Sequence, residues 1–143
     1  MDPNNPVIKL CVEGMRAEAE GRNHDAHLLF MQAWEASGDD YEACVAAHYV
    51  ARHQSLEDAL HWNQVALMRA EVVGDERVRG FYPSLYLNLG HSHETLGNLA
   101  EAKKYYELAA SRVGDLAADP YGNTVRKGIE SGRRRIRSLE EQG

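Results

Sequence analysis

Histidine, cysteine and glutamate side chains, which bind metals and carry protons, come together at two places in the sequence. The first is HSHE at residues 91–94, but residues two apart on a helix point about 200° apart, so its two imidazoles cannot readily share one ion. It does not open a zinc-protease motif either, because Gly97 stands where that motif requires a second histidine. The second place is Cys44 and His48, which are four residues apart and share one face of a helix. Neither place forms a catalytic motif.

Motifs of the common enzyme classes do not occur in the sequence. There is no G-x-x-x-x-G-K-[ST] phosphate loop, no G-x-G-x-x-G after a strand and no G-x-S-x-G elbow. Paired acids at residues 39–40 and 140–141 fall at a predicted helix start and at the tail, where they complement a helix dipole or are solvated. We therefore predict a protein that is not an enzyme and that needs no cofactor.

Helical patterns fill most of the chain, and no segment has the pattern of a strand. Proline at a first helical position, capping boxes and apolar residues spaced three and four apart mark the helices. Residues 74–80 are predicted to form a polar loop. The all-α pattern predicts about seven helices, which begin near Pro6, Asn23, Asp39, Ser55, Pro83, Asn98 and Pro120.

The helices repeat in pairs. Small residues, which let neighbouring helices pack closely, recur 33 and then 43 residues apart in both members of each pair. A chance match would not keep both series in step. The series are Gly14, Ala47 and Gly90 in the first helices and Ala26, Ala59 and Ala102 in the second helices.

The third pair has the most specific pattern. Residues 86–93, YLNLGHSH, supply a tyrosine, Leu-Gly and a ring at His93, and Ala102 and Tyr106 follow. This pattern resembles the tetratricopeptide repeat (TPR), a helical hairpin of about 34 residues. The resemblance implies an α-α superhelix, a right-handed solenoid of three hairpins and a capping helix in a single domain, with His93 as a buried core ring. The hairpins would span about 6–38, 39–74 and 81–114, and the capping helix about 120–141.

The resemblance also implies a binding surface, the concave groove lined by the first helix of each hairpin. Such a groove holds a peptide or a helix of a partner protein, and the chain would act as an adaptor. TPR domains that clamp chaperone tails use lysine and asparagine in the first-repeat rows, whereas this chain has Cys11 and Met15. We therefore do not expect this groove to bind a chaperone tail. The register places these residues in or at the entrance of the groove: Met15, Tyr41, Cys44, His48, Arg52, Leu87, Asn88, His91, Glu94 and Thr95.

A zinc site in the same groove is an alternative. His91 corresponds to His48 in the register, so Cys44, His48 and His91, with Cys11 as a fourth ligand, could hold Zn²⁺. The main prediction is that no metal is bound. Because the sequence shows no secretory signal, we expect the thiols of Cys11 and Cys44 to be reduced and buried.

The last helix is basic, whereas the repeats are acidic. Residues 117–143 carry a net charge of +2 and residues 1–116 a net charge of -8. The basic side chains could follow the phosphates of a nucleic acid, but only Tyr121 interleaves with them and the acidic repeats would repel the polymer. Gly128 and Gly132 would let another helix approach, so a homodimer is a further alternative. The basic residues are Arg126, Lys127, Arg133, Arg134, Arg135 and Arg137.

Composition fits one folded domain. The chain has 143 residues, 43% of them hydrophobic and 27% charged, and a formal net charge of -6. It has no basic leader and no apolar run near the roughly 20 residues that a membrane helix needs. We therefore expect a cytoplasmic protein that has no membrane contact and does not generally bind nucleic acid.

Overall fold

The computed structural model describes residues 2–142, and within that range the regular structure is entirely helical. The all-α prediction is confirmed. No helix among the described residues is long and apolar enough to cross a membrane. The helices are α1 (Pro6–Ala19), α2 (Asn23–Ala36), α3 (Asp40–Val50), α4 (Leu56–Val73), α5 (Glu76–Arg79), α6 (Tyr82–Thr95), α7 (Leu99–Ser111) and α8 (Pro120–Gln142), with a single 3-10 turn at Val113–Asp115.

The chain divides into two compact units. Unit 1 ends at Val73 and holds the two hairpins α1–α2 and α3–α4. Unit 2 begins at Gly74 and holds the hairpin α6–α7 together with α5 and α8. The prediction that all of them form one domain stays a prediction.

The core of unit 1 forms where the first hairpin packs closely. Gly14 of α1 lies so near the ring of Phe30 of α2 that a Cβ on this glycine would overlap the ring. Phe30 also stacks with Tyr49 of α3, with ring centroids 5.3 Å apart. Ala17, Ala26 and Val50 complete the buried cluster. Helices α1 and α2 are therefore in close contact at Gly14, where the sequence predicts close packing.

Caps join the start of α3 to the start of α1. The side chain of Asp39 accepts a hydrogen bond from the backbone N–H of Glu42 (2.8 Å), as the predicted capping box requires. The carboxylate of Glu42 accepts from the N–H of Gly38 (2.8 Å) and from the Nδ2 of Asn5 (2.7 Å), and Asn5 is itself the cap of α1. The two hairpins of unit 1 are thus tied at one end.

In unit 2 the ring of Tyr106 on α7 lies between two glycines. A Cβ on Gly90 of α6 would lie 2.8 Å from Tyr106 Cδ1, and a Cβ on Gly132 of α8 would overlap the same ring. Val125, Ile129 and Ile136 form the buried stripe of α8. Helix α8 therefore packs along the α6–α7 hairpin, as a capping helix would.

The predicted loop at residues 74–80 is wrong, because it contains the one-turn helix α5. Asp75 caps this turn by accepting a hydrogen bond from the N–H of Arg77 (2.9 Å), and Val78 anchors it with a fully buried side chain. Residues 2–142 thus hold eight α-helices where about seven were expected. Four residues are too few for a helical period to be visible in the sequence.

Candidate functional site

The groove residues predicted on α6 face two different directions. Leu87 packs against the buried clusters that include Ile129 and Ile136 of α8. A Cβ on Gly128 of α8 would lie 2.9 Å from Leu87 Cδ2, so the two helices touch at this point. Glu94 also turns toward α8. These two residues hold the capping helix in place and do not line an open surface of unit 2.

Glu94 is the centre of a charged cluster. Arg135 donates from Nε to Oε2 of Glu94 (2.8 Å) and from Nη2 to Oε1 (3.0 Å). The hydroxyl of Tyr106 donates to the same Oε1 at 2.6 Å. The Arg135 hydrogen bonds hold the pKa of Glu94 below its usual range. Desolvation and the hydrogen bond to Glu94 raise the pKa of Tyr106, so its hydroxyl stays a donor at neutral pH.

Half of the predicted basic residues of α8 bond within unit 2. Arg126 donates to the carbonyl oxygens of residues 116 and 117 (3.0 and 3.2 Å). Arg133 makes a two-point contact with Glu107 of α7 (3.0 and 3.2 Å), and Arg135 binds Glu94. The other three basic residues are exposed and make no hydrogen bond or ion pair with residues 2–142. They are Lys127, Arg134 and Arg137.

Gly128 and Gly132 of α8 contact the hairpin of their own unit. Gly128 meets Leu87 and Gly132 meets Tyr106. The close approach that this pair allows is therefore used by α6 and α7. The spacing of the two glycines gives no support to a homodimer through α8.

The remaining predicted residues of α6 share one strip. Asn88, His91 and Thr95 are spaced three and four apart, and His91 and Thr95 are exposed. The hydroxyl of Thr95 donates to the carbonyl oxygens of residues 91 and 92 (3.1 and 3.0 Å), which fixes its rotamer. We call these three residues the α6 strip.

His93 is a core residue, as the resemblance implied. Its side chain is buried and its ring stacks with Tyr105, with centroids 5.5 Å apart and planes inclined by 2°. Asn98 Nδ2 lies 3.4 Å from Nδ1 of His93. The buried side chain of His93 thus lies on a different side of α6 from the exposed side chain of His91.

The two cysteines are free and buried, as predicted for reduced thiols. Each has only 1% of its surface exposed. Burial raises the pKa of Cys11 and of Cys44 to about 12, so both are protonated at neutral pH. Although the register placed Cys44 in the groove, its sulfur is not accessible, and we leave it out of the proposed surface.

His48 is neutral at physiological pH. The residue is half-buried. Burial and the neighbouring guanidinium of Arg52 lower its pKa to about 4. Its ring lies edge-on to Tyr49, with centroids 5.2 Å apart. A neutral imidazole has one donor nitrogen and one acceptor nitrogen.

Arg52 is exposed but paired. Its Nη1 donates to Oε1 of Glu18 (2.6 Å), and Nε2 of His53 lies 2.7 Å from Oε2 of the same carboxylate. Glu18 and Glu94 are equivalent in the repeat register. In each unit this glutamate accepts hydrogen bonds from a cationic side chain outside its own hairpin. This role was not predicted from the sequence, although the register aligns the two glutamates.

Met15 and Tyr41 are half-buried. Met15 packs against the cluster around Phe30. It therefore offers a partner only the outer part of its thioether, and its main role is in the core of unit 1.

No metal site is formed by the described residues. Within 2–142, no three His, Cys, Asp or Glu side chains are grouped closely enough to hold an ion. The zinc alternative at Cys44, His48, His91 and Cys11 is therefore not carried further.

Unit 1 also contains a cleft that the sequence analysis missed. Its volume is about 460 Å³, and it opens where α2 ends and α3 begins. Trp34 forms one wall, and Arg69 of α4 lies over its ring (5.6 Å) and donates to Asp40 (2.7 Å). Trp34 and Arg69 are about one repeat apart and lie on the second helices of consecutive hairpins. This spacing could have predicted their contact. The cleft is lined by Trp34, Glu35, Ser37, Gly38, Asp39, Asp40, Ala43 and Arg69.

Comparison with known protein families gives one match. Residues 83–112, which cover most of α6, all of α7 and the turn between them, match the family model described as tetratricopeptide repeat. Comparisons with curated proteins and with solved structures gave no match.

Proposed function

Because the chain carries a tetratricopeptide repeat, we propose that it is a non-catalytic adaptor that binds a peptide or a helix of a partner protein. Repeats of this kind build extended surfaces for protein recognition, and each repeat can vary its exposed residues without disturbing its packing. The first helix of each hairpin is the element that faces a ligand in this family. The proposal therefore concerns the exposed sides of α1, α3 and α6.

The observation that carries the proposal is the α6 strip. In unit 2, three residues of α6 contact the neighbouring helices. Gly90 lies against Tyr106 of α7. Leu87 lies against Gly128 of α8, and Glu94 binds Arg135 of the same helix. His91 and Thr95 are exposed and lie one helical turn apart. Two exposed polar side chains one turn apart on the first helix of a repeat are candidates for recognition.

Polar groups also lie at the proposed positions of unit 1. His48 is uncharged, and the guanidinium of Arg52 is paired with Glu18. The proposed positions thus include the uncharged imidazole of His48, the hydroxyl of Thr95 and the charge of Arg52, which is paired within unit 1. We expect the partner to be bound mainly through hydrogen bonds and apolar contact, and less through net charge.

The test is capture from the native host with the full chain immobilised, followed by mass spectrometry. The informative comparison is between the wild type and the double variant His91→Ala with Thr95→Ala. The control is Glu130→Ala with Ser138→Ala, which changes exposed residues on α8. A partner that is lost with the first variant and kept with the control supports the proposal.

Contact with nucleic acid through α8 has less support. Arg126, Arg133 and Arg135 already bond within unit 2, and the acidic Glu130 lies among the three exposed cations. Neutralising about three phosphates gives only weak binding that salt readily abolishes. A gel shift that is lost when Lys127, Arg134 and Arg137 are changed to glutamine would favour this reading.

A further inference from the structure

The cleft of unit 1 has the chemistry of a cation site. Glu35, Asp39 and Asp40 place three carboxylates around it, and Arg69 supplies one positive charge, so the formal net charge of the lining is -2. The start of α3 contributes about half a positive charge from the helix dipole, which is too little to reverse this sign. Anionic ligands are therefore disfavoured.

The carboxylates have free acceptor capacity. Glu35 is exposed and makes no hydrogen bond with residues 2–142. One oxygen of Asp39 accepts from the N–H of Glu42, and one oxygen of Asp40 accepts from Arg69. The second oxygen of each of these two side chains has no hydrogen bond within the described part of the chain.

The cleft already holds one guanidinium group. Arg69 lies over the indole ring of Trp34, with its Cζ 5.6 Å from the ring centroid, and bonds to the carboxylate of Asp40. An aromatic face and a carboxylate together are a good environment for a cation. The rings of Trp62 and Trp34 form a T-shaped contact, with centroids 5.0 Å apart and planes inclined by 82°, which holds this wall in its orientation. The side chain of Arg69 is 40% exposed, so it does not close the cleft.

We propose that this cleft binds a basic side chain, an arginine or a lysine, of a partner polypeptide. The cationic group lies between Glu35 and Asp39, and the aliphatic stem lies along the indole of Trp34. A volume of about 460 Å³ is in the range of small-ligand sites and admits one such side chain. The inference rests on the proposed function in one respect, namely that the basic side chain belongs to a partner protein.

The test uses small probes, so that it does not depend on finding a partner. N-acetyl-arginine amide and N-acetyl-lysine amide are titrated into the full chain, and N-acetyl-citrulline amide serves as the neutral match for arginine. The only two tryptophans of the chain are Trp34 and Trp62, so intrinsic fluorescence reports on the cleft. We expect a saturable change with the two cations and none with citrulline. Equal responses to arginine and citrulline, or no saturable response, would overturn the proposal.

Two variants make the test specific. Glu35→Gln with Asp39→Asn removes two charges, and asparagine keeps the cap of α3. It should weaken the binding of the arginine probe by at least about fivefold, which corresponds to about 1 kcal/mol. The control, Glu13→Gln with Glu57→Gln, makes the same charge change at exposed sites elsewhere in unit 1 and should leave binding unchanged.

A second variant, Arg69→Gln, distinguishes a change in the charge of the cleft from damage to its fold. Arg69→Gln removes the internal cation and should strengthen probe binding, whereas damage to the cleft would weaken it. Weaker binding with Arg69→Gln, or an equal loss with the control pair, contradicts the assignment. Unchanged partner capture by the α6 strip variant, with saturable binding of the arginine probe, means that the proposed function fails and this site does not. Loss of capture by that variant without any saturable probe binding means the reverse.

Discussion

Glu94 of α6 and Arg135 of α8 form a two-point ion pair, at 2.8 and 3.0 Å, to which the hydroxyl of Tyr106 adds a third hydrogen bond at 2.6 Å. The carboxylate is mostly buried and the guanidinium is half-exposed. This pair joins a residue that the register assigned to the groove with a residue of the basic helix. Both serve to attach the capping helix.

Removing the carboxylate should loosen α8. We expect Glu94→Ala to lower the free energy of unfolding by about 1–2 kcal/mol, since it leaves Tyr106 and Arg135 without their acceptor. Urea unfolding followed by circular dichroism measures the change. The control is Arg134→Ala, an exposed neighbour without a partner in residues 2–142, which should change stability by less than about 0.5 kcal/mol. An equal effect of both changes would mean that the pair does not hold α8.

Gly132 should tolerate no side chain. A Cβ at this position overlaps the ring of Tyr106, so Gly132→Ala must shift α8 or the ring, at a cost of about 1–3 kcal/mol. Gly114→Ala is the control, because a Cβ there meets no atom within 4 Å. Thermal unfolding of the two variants distinguishes them. A Gly132→Ala protein as stable as the wild type would refute the sandwich of Tyr106 between glycines.

His48 should make stability depend on pH. Its pKa of about 4 in the folded protein lies below the value near 6.5 of an unfolded chain, so the unfolded state takes up the proton first. Stability is therefore fully present above about pH 6.5 and is lost as the pH falls toward 4. The slope from this residue is at most about 1.4 kcal/mol per pH unit.

The measurement compares the pH dependence of unfolding in the wild type and in His48→Gln. Carboxylates titrate in the same way in both proteins, so the difference isolates His48. We expect the variant to have the shallower slope between about pH 4.5 and 6. Parallel curves would show that His48 is not held neutral by burial.

The thiols should be unreactive in the native protein. Burial and a pKa of about 12 leave Cys11 and Cys44 without thiolate at pH 8. Labelling with a thiol reagent should be slow in buffer and rapid for both residues in denaturant. Fast labelling of one cysteine in buffer would show that its helix is accessible.

The sequence predicted the elements that depend on local pattern. Helices pack closely at Gly14 and Gly90, as predicted for these small residues, and His93 is buried as the family's ring position implied. These features were predictable because each depends on residue size at a fixed helical spacing. The capping helix was predictable from its apolar stripe.

The direction of Leu87 and Glu94 was not predictable in this way. Both occupy positions that face a ligand in the family, but α8 lies against them in unit 2, and a register of hairpins does not say what the capping helix covers. The cleft at Trp34 was missed because Asp40 and Arg69 meet only after α3 and α4 pack together. Contacts between helices that lie far apart in sequence are set by packing and leave little trace in local spacing.

The central claim is that the α6 strip takes part in recognition of a partner protein. The most direct measurement is the dissociation constant of a captured partner segment, determined by calorimetry with the wild type, with His91→Ala plus Thr95→Ala, and with the Glu130→Ala plus Ser138→Ala control. The account predicts that the strip variant weakens binding at least about tenfold, or by about 1.4 kcal/mol, while the control binds as the wild type does. Equal dissociation constants for all three folded proteins would contradict it.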